Sequence, residues 1–338
     1  MYKRQAHKRV LVIAEEGQFE KSLMHRVGMG LPDQVERRNI GLERHADAKS
    51  TADKVVAEGE IAPFDVIIAC GSARAIAHGR KSRHAIAQAG YANLSKSERR
   101  SAGLRSMMPD FFAVPGVDGL PDPCMSSGAA SGIKTMPPTV IICDPTLLRD
   151  ATPEDCASAF AMTLGRCLAA FWDSGFNPLA DGMAVEGLRR LAKLTPLTHE
   201  QLRMQSKNRD LMAASLNGAI SQQKGPGLVP ALNSALRSQS GDPIDFGAVQ
   251  SILLPHLLRD TELLSETDEA LISRVLGLDG DLPDSLERLF DPMPLSKSLP
   301  DLGITVEDWH HAVDTAQSRV HVPASAAQRL NQLVDTLF

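Results

Sequence analysis

A change of hydrophobic period at Pro145 divides this chain into two kinds of structure. Before it, short apolar runs alternate with amphipathic stretches. RVLVIAE (9–15), FDVIIACGS (64–72), DFFAVPG (110–116) and PTVIICDP (138–145) each hold a few consecutive apolar residues closed by Gly, Pro or an acid. That length, with β-branched and aromatic residues, reads as buried strand rather than helix. The stretches at 21–28, 51–58 and 73–89 carry the helical period between them. Strands alternating with helices require crossover connections, so this half is expected to form a parallel sheet covered by helices.

After Pro145 the strand signal stops. Thr152 is placed to cap a helix, with Pro153 at its first position and two acids in its first turn. Apolar residues then recur at Phe160, Leu164, Cys167, Leu168 and Phe171, three or four apart. Further helices are predicted from about Pro178, Thr198, Gly225, Phe246, Asp260, Thr305 and Pro323, and residues 277–303 read as loop with short helical turns at most. The expected architecture is an α/β, Rossmann-like domain over 1–147 followed by an all-α domain over 148–338. Such an arrangement places a ligand, a small molecule or anion, in the cleft between domains, at the carboxyl ends of the strands.

Composition narrows the function classes. Aromatic residues make up 4% of the chain, so the core must be built from aliphatic side chains. A net charge of -5 argues against a nucleic-acid partner. No apolar segment is long enough for a membrane span, and the basic start MYKRQAHKR leads into a strand-length run, not a signal core. Five cysteines without a CxxC pair suit free thiols in a reducing compartment, so a cytoplasmic protein is expected. A homodimer is compatible with this reading.

Six phrases, in order, carry a resemblance. FDVIIACGSARAIAHG (64–79), PPTVIICDPTLL (137–148), NPLADGMAVEGLRRL (177–191), NRDLMAASLNGAISQQKGPGLVPALNSAL (208–236), FGAVQSILLPHLL (246–258) and SLPDLGITVEDWHHAVDTA (298–316) span nearly the whole chain. Together they resemble the iron-containing alcohol dehydrogenases, with their dehydroquinate-synthase-like fold. The resemblance implies an NAD-linked oxidoreductase whose helical domain holds a divalent metal through one aspartate and three histidines.

The metal set does not carry over. Aligning AMTLGRCLAAF (161–171) with the family's helix sets Met162 and Arg166 at the first two ligand positions. GPGLVPALNSAL (225–236) sets Pro230 at the third, and Ser234 where the family often has another histidine. Phe246 falls at the fourth, beside Asp245. A thioether is a poor ligand for a hard divalent ion and a guanidinium cannot bind one. No metal is therefore expected. Arg166, on an apolar helix face, needs either a carboxylate such as Asp181 or Asp245 or an anionic ligand.

The dinucleotide motifs carry over in part. The family's GGGS turn becomes ACGS, retaining Gly71 and Ser72; Cys70 adds a side chain beside the turn, and Ala75 and His78 replace an Asp and a Lys. PGVDGLPD (115–122) stands where the family has a hydroxyl-rich phosphate loop, and gains two carboxylates. Glu15 ends the first strand where the family's aspartate accepts from the adenosine ribose, which favours NAD(H) over NADP(H). The resemblance thus implies cofactor contacts at Glu15, Gly71 and Ser72, with Arg166 and Ser234 as the groups left to meet a substrate oxygen. The alternative is a catalytically inactive relative kept as a structural, regulatory or anion-binding subunit. His256 is expected to pack or cap a helix, and the His310-His311 pair to serve no metal.

Overall fold

The structure is a computed structural model that describes residues 9–43, 47–101, 103–117, 119–120, 136–149, 151–172, 175–195, 205–225, 227–239, 244–259, 263–320, 322 and 324–338. The expected helix starts at Thr198, Asp260 and Pro323 lie outside these residues, as do Asp118, Pro121 and Asp122 of the phosphate-loop counterpart. The chain divides between Leu147 and Leu148 into two compact units.

The first unit runs β1 (Arg9–Glu15), α1 (Gln18–Met29), β2 (Glu36–Leu42), α2 (Ala48–Ile61), β3 (Val66–Gly71), α3 (Ala73–Ala92), α4 (Lys96–Ser101), β4 (Asp110–Pro115) and β5 (Val140–Ile141). All strands pair in parallel, in the order β2-β1-β3-β4-β5. β1 and β3 are buried along nearly their whole length, as the continuous apolar runs predict. Leu11, Ile13, Ile67, Ala69, Phe111 and Ala113 form the core with Val55 of α2 and Ile76 of α3. α3 can lie close on the sheet because Gly79 faces it: a Cβ there would stand 2.8 Å from both Ala69 Cβ and Phe111 Cε2. Buried Arg83, one turn further on, donates to the carbonyls of Pro109 and Pro137 and so ties the entries of β4 and β5 to α3.

Two strand assignments need correction. β2, ERRNIGL, has no apolar run and escapes a reading by periodicity; as an edge strand it buries fully only Leu42. The strand expected over 138–145 shrinks to Val140–Ile141 at the opposite edge, where Val140 and Ile142 are exposed, and Pro145–Leu148 turns as a 3₁₀ helix. An edge strand lacks a partner on one side, so neither its composition nor its length is held to the rule for buried strands.

The second unit is helical, and among its described residues there is no strand. Its helices are α5 (Pro153–Trp172), α6 (Pro178–Ala192), α7 (Gln205–Ser221), α8 (Leu228–Gln239), α9 (Phe246–Leu258), α10 (Glu266–Leu276), α11 (Leu282–Phe290), α12 (Val306–Arg319), α13 (Ala324–Gln332) and α14 (Val334–Leu337). α5 begins as expected: Thr152 Oγ1 accepts from Asp155 N–H, and the Asp155 carboxylate accepts from Thr152 N–H. It is the central helix, packed on α6, α7, α8 and α9. Its Cys167 Sγ occupies the room left by Gly187 and Gly218, whose added Cβ atoms would stand 2.5 and 3.4 Å from it. α11 corrects the expectation of loop over 277–303: Asp281 caps it, Leu282 and Pro283 open it, and Leu282, Leu286 and Phe290 are buried. No helix among the described residues is long and apolar enough to cross a membrane.

Candidate functional site

The strand order reverses direction between β1 and β3, since α1 leads outward from β1 to β2 and α2 returns to β3. In open parallel sheets ligands bind outside the carboxyl ends of the strands at such a switch point. β1 ends in Glu15 and β3 in Gly71, and their register brings the two ends level. The sequence-predicted residues meet there. Ser72 Oγ donates to Glu15 Oε1 at 2.5 Å and accepts from Ala75 N–H, capping α3. Gly71 has φ +94, open to glycine at little cost. The backbone of the next loop then comes down on it: Gly116 N–H donates to Gly71 O at 2.8 Å. A Cβ on Gly119 would stand 2.0 Å from that same oxygen. Glycines at all three places let the backbone of the 116–119 loop pack directly on Gly71, at a strand-to-helix turn that leads into the N-terminus of a 20-residue helix, the kind of turn that accepts a phosphate. The residues present therefore fit a dinucleotide at this end of the sheet.

Cys70 does not intrude as its place in the motif suggests. It is fully buried within β3, level with Val114, and burial pushes its thiol up to about 12. Ala75 is buried too. His78 turns away to α2, its Nδ1 3.1 Å from Thr51 Oγ1. Burial lowers its pKa to about 4, with Arg74 and Lys81 adding to the shift and Asp47 and Glu15 opposing it, so the ring is neutral. Of PGVDGLPD, Asp118, Pro121 and Asp122 lie outside the described residues. Sequence reasoning missed Arg74, whose Nε is 3.2 Å from Glu15 Oε1 and whose terminal nitrogen donates to Glu43 O beyond β2. Its signal was its place, two residues after the retained Ser72.

In the helical unit, Met162 and Arg166 lie on α5, Pro230 and Ser234 on α8, and Phe246 opens α9. Met162, Arg166 and Phe246 are buried at 8%, 6% and 8% exposure. Both neighbouring helices meet α5 through glycine. A Cβ on Gly247 would stand 2.3 Å from Ser158 Cα, and one on Gly227 would stand 2.7 Å from Ala169 Cβ. Neither carboxylate named for Arg166 is idle. Asp181 takes Lys224 at 2.8 Å, and Asp245 caps α9 through Gly247 and Ala248 N–H while accepting from Ser158 Oγ at 2.6 Å. Arg237 lies over the Phe246 ring, 4.7 Å from its centroid. The residues at the four positions thus supply no imidazole and no anionic oxygen, and they do not fit a divalent metal. Among the described residues, no three His, Cys, Asp or Glu side chains are grouped to hold one.

Two buried amides in this region were not anticipated. Gln250 is 1% exposed and approaches α5 at Gly165, where a Cβ would stand 1.9 Å from its Oε1. Asn233, on α8, is 6% exposed. Among the described residues, Gln250 Oε1 and Asn233 Oδ1 accept no hydrogen bond. The glycine before Arg166 was the available signal for the first. The remaining candidates are structural or peripheral. His256 ends α9, its carbonyl accepting from Arg329, and burial lowers its pKa. It lines a cavity of about 400 Å³ with Pro255, Glu287, Asp291 and Lys297, none of which belongs to the four positions above. His310 and His311 are both exposed.

No family model matches this chain. A 4-hydroxybutyrate dehydrogenase of Cupriavidus necator is 28% identical over 183 residues, which is 50% of this chain and 46% of that protein. The match therefore spans about half the length of that relative. Solved structures resemble the chain end to end. A 1,3-propanediol oxidoreductase aligns with a TM-score of 0.76 at 18% identity, covering 98% of this chain and 92% of its own. An iron-containing alcohol dehydrogenase from Corynebacterium glutamicum gives 0.76 at 20% identity, with 99% and 89% covered. A sulfoacetaldehyde reductase from Bifidobacterium kashiwanohense, in complex with NAD+, gives 0.74 at 16%, with 98% and 91% covered. The chain has the fold of the iron-containing alcohol dehydrogenases.

Proposed function

We propose that this protein is a dinucleotide-linked oxidoreductase that interconverts an alcohol and a carbonyl compound without a divalent metal. The observation that carries the reading is the convergence of Glu15, Gly71 and Ser72 at the switch point, at a glycine turn that leads into the N-terminus of α3. The named relative and neighbours that act on alcohols, aldehydes or hydroxy acids support it. A bound nicotinamide would supply or accept the hydride. The chain's own residues do the rest. Gly71 and the N-terminus of α3 hold the phosphates through backbone N–H groups, and Glu15 accepts from a ribose hydroxyl. In the helical unit, buried Arg166 on α5 and Ser234 on α8 are the groups that the resemblance leaves to meet a substrate oxygen, and a fixed positive charge such as Arg166 carries can stabilise a developing alkoxide, the part a metal ion otherwise takes. A guanidinium cannot give up a proton at ordinary pH, so a group other than Arg166, water or a further residue, carries the proton that accompanies hydride transfer.

The test joins three measurements on the purified protein. Metal content is expected to stay far below one divalent ion per chain, and a chelator to leave the unfolding temperature unchanged. NADH at a hundred times its Kd is expected to stabilise the fold by about 2.7 kcal/mol. Oxidation of NADH is expected with an aldehyde, a short ω-aldehyde acid being the first to try given the named relative. Dinucleotide binding without turnover would favour the second reading, a catalytically inactive relative, to which the four substituted ligand positions also lend weight. One tightly held divalent ion per chain, or no binding of either dinucleotide, would overturn the proposal.

A further inference from the structure

We propose that Arg74 lets this cofactor site accept a 2′-phosphate, so that NADP(H) is bound alongside NAD(H). The inference rests on the dinucleotide reading above and changes what Glu15 alone would imply. A lone carboxylate at the end of the first strand accepts from a ribose 2′-hydroxyl and repels a phosphate there. Here the carboxylate is not alone. Glu15 Oε1 receives Ser72 Oγ at 2.5 Å and pairs with Arg74 Nε at 3.2 Å. The far end of the same guanidinium donates to Glu43 O, just beyond β2. Arg74 therefore lies across the carboxyl ends of β1, β2 and β3, where the adenosine ribose of a dinucleotide at this switch point is held.

Arg74 also comes from the first turn of α3, whose N-terminus favours anions on its own account. Both partners of the ion pair keep 32% of their side-chain surface exposed. Nε itself is buried, but a pair of partly exposed side chains at 3.2 Å contributes little to stability, so a phosphate can displace the carboxylate. A 2′-phosphate can take the guanidinium in a two-pronged contact that a single carboxylate oxygen does not fill. With a 2′-hydroxyl instead, Arg74 stays on Glu15 and keeps its carboxylate turned to the ribose. One side-chain exchange thus serves both cofactors. Lysine would not serve as well, since its point charge lacks the fork that spans two phosphate oxygens.

The test uses adenosine fragments, which report on this end of the site without nicotinamide or turnover. The full chain is titrated calorimetrically with 2′,5′-ADP and with 5′-AMP, as wild type, Arg74→Gln and Glu15→Gln. Wild type is expected to bind 2′,5′-ADP at least as tightly as 5′-AMP. Arg74→Gln is expected to weaken 2′,5′-ADP by about tenfold or more while 5′-AMP changes less than about threefold. Glu15→Gln frees the guanidinium and is expected to raise the ratio in favour of 2′,5′-ADP. Circular dichroism of each variant checks that the fold is intact. Binding of 5′-AMP but not of 2′,5′-ADP, or a ratio indifferent to Arg74→Gln, would overturn this inference and leave the dinucleotide reading standing. Failure of both fragments and of NADH would overturn the two together.

Discussion

Replacing Gly247 by alanine adds one methyl group at the place where α9 meets α5. The added Cβ would stand 2.3 Å from Ser158 Cα and 2.4 Å from Ser158 O, against an ordinary contact of 3.4–4 Å. The atoms it meets are mostly backbone, so no side chain can swing aside, and the helices must part by roughly 1 Å. That shift opens the contact further along, where buried Gln250 and Leu254 lie against Gly165. Overpacking of this kind costs about 1–3 kcal/mol. Alanine's helix preference returns at most about 1 kcal/mol, and less in a first turn. A net loss of about 1–2 kcal/mol follows, which for a unit of this size lowers the unfolding temperature by roughly 2–8 °C. Gly182 is the control. It is exposed in mid-α6 with nothing within 4 Å of an added Cβ, so Gly182→Ala is expected to stabilise by about 0.5–1 kcal/mol. Scanning calorimetry of both variants decides the matter through their opposite signs. An unfolding temperature for Gly247→Ala equal to or above wild type would refute the close packing of α5 and α9.

Two further outcomes are expected. Arg166→Met keeps the bulk of the side chain and removes its charge; turnover is expected to fall by about 10²–10³-fold with dinucleotide affinity unchanged, as measured by steady-state kinetics beside calorimetry. His78, whose folded pKa lies near 4 against an ordinary 6.5, binds its proton more readily in the unfolded chain. Its contribution to stability is therefore complete above pH 6.5, erodes as the pH falls below that, and is gone near pH 4. Denaturant unfolding between pH 7 and 4 is expected to show a shallower loss in His78→Gln than in wild type, and equal slopes would count against a buried neutral ring.

Much of the architecture was legible in the residues because burial on both faces forces composition. β1 and β3 lie inside the sheet and must be apolar throughout, and α5 is buried on nearly every side, so these elements announce themselves as unbroken or tightly periodic apolar runs. Capping announces itself too, since Thr152 and Pro153 occupy positions where a helix start favours a side-chain acceptor followed by proline. β2 did not, because an edge strand with one apolar anchor pair, Ile40 and Leu42, satisfies its backbone through β1 alone. α11 hid for the opposite reason: nine residues between prolines and acids look like loop until Leu282, Leu286 and Phe290 find a core to face.

At the candidate site the division is sharper. Glu15, Gly71 and Ser72 could be named because the phrases that carry the family resemblance set them at the ends of β1 and β3. What those residues touch was decided by the tertiary structure. Strand order sets β1 beside β3, and this alone puts Glu15 against Ser72 across 57 residues of sequence and lays Arg74 over it. The same holds for Cys70 and His78, whose motif positions suggest the cofactor while the pleat of β3 buries the one and packing against α2 buries the other. Residue type is a local property, written along the chain. Which charge faces which is not, because it depends on how elements far apart in sequence are brought to one edge of a sheet.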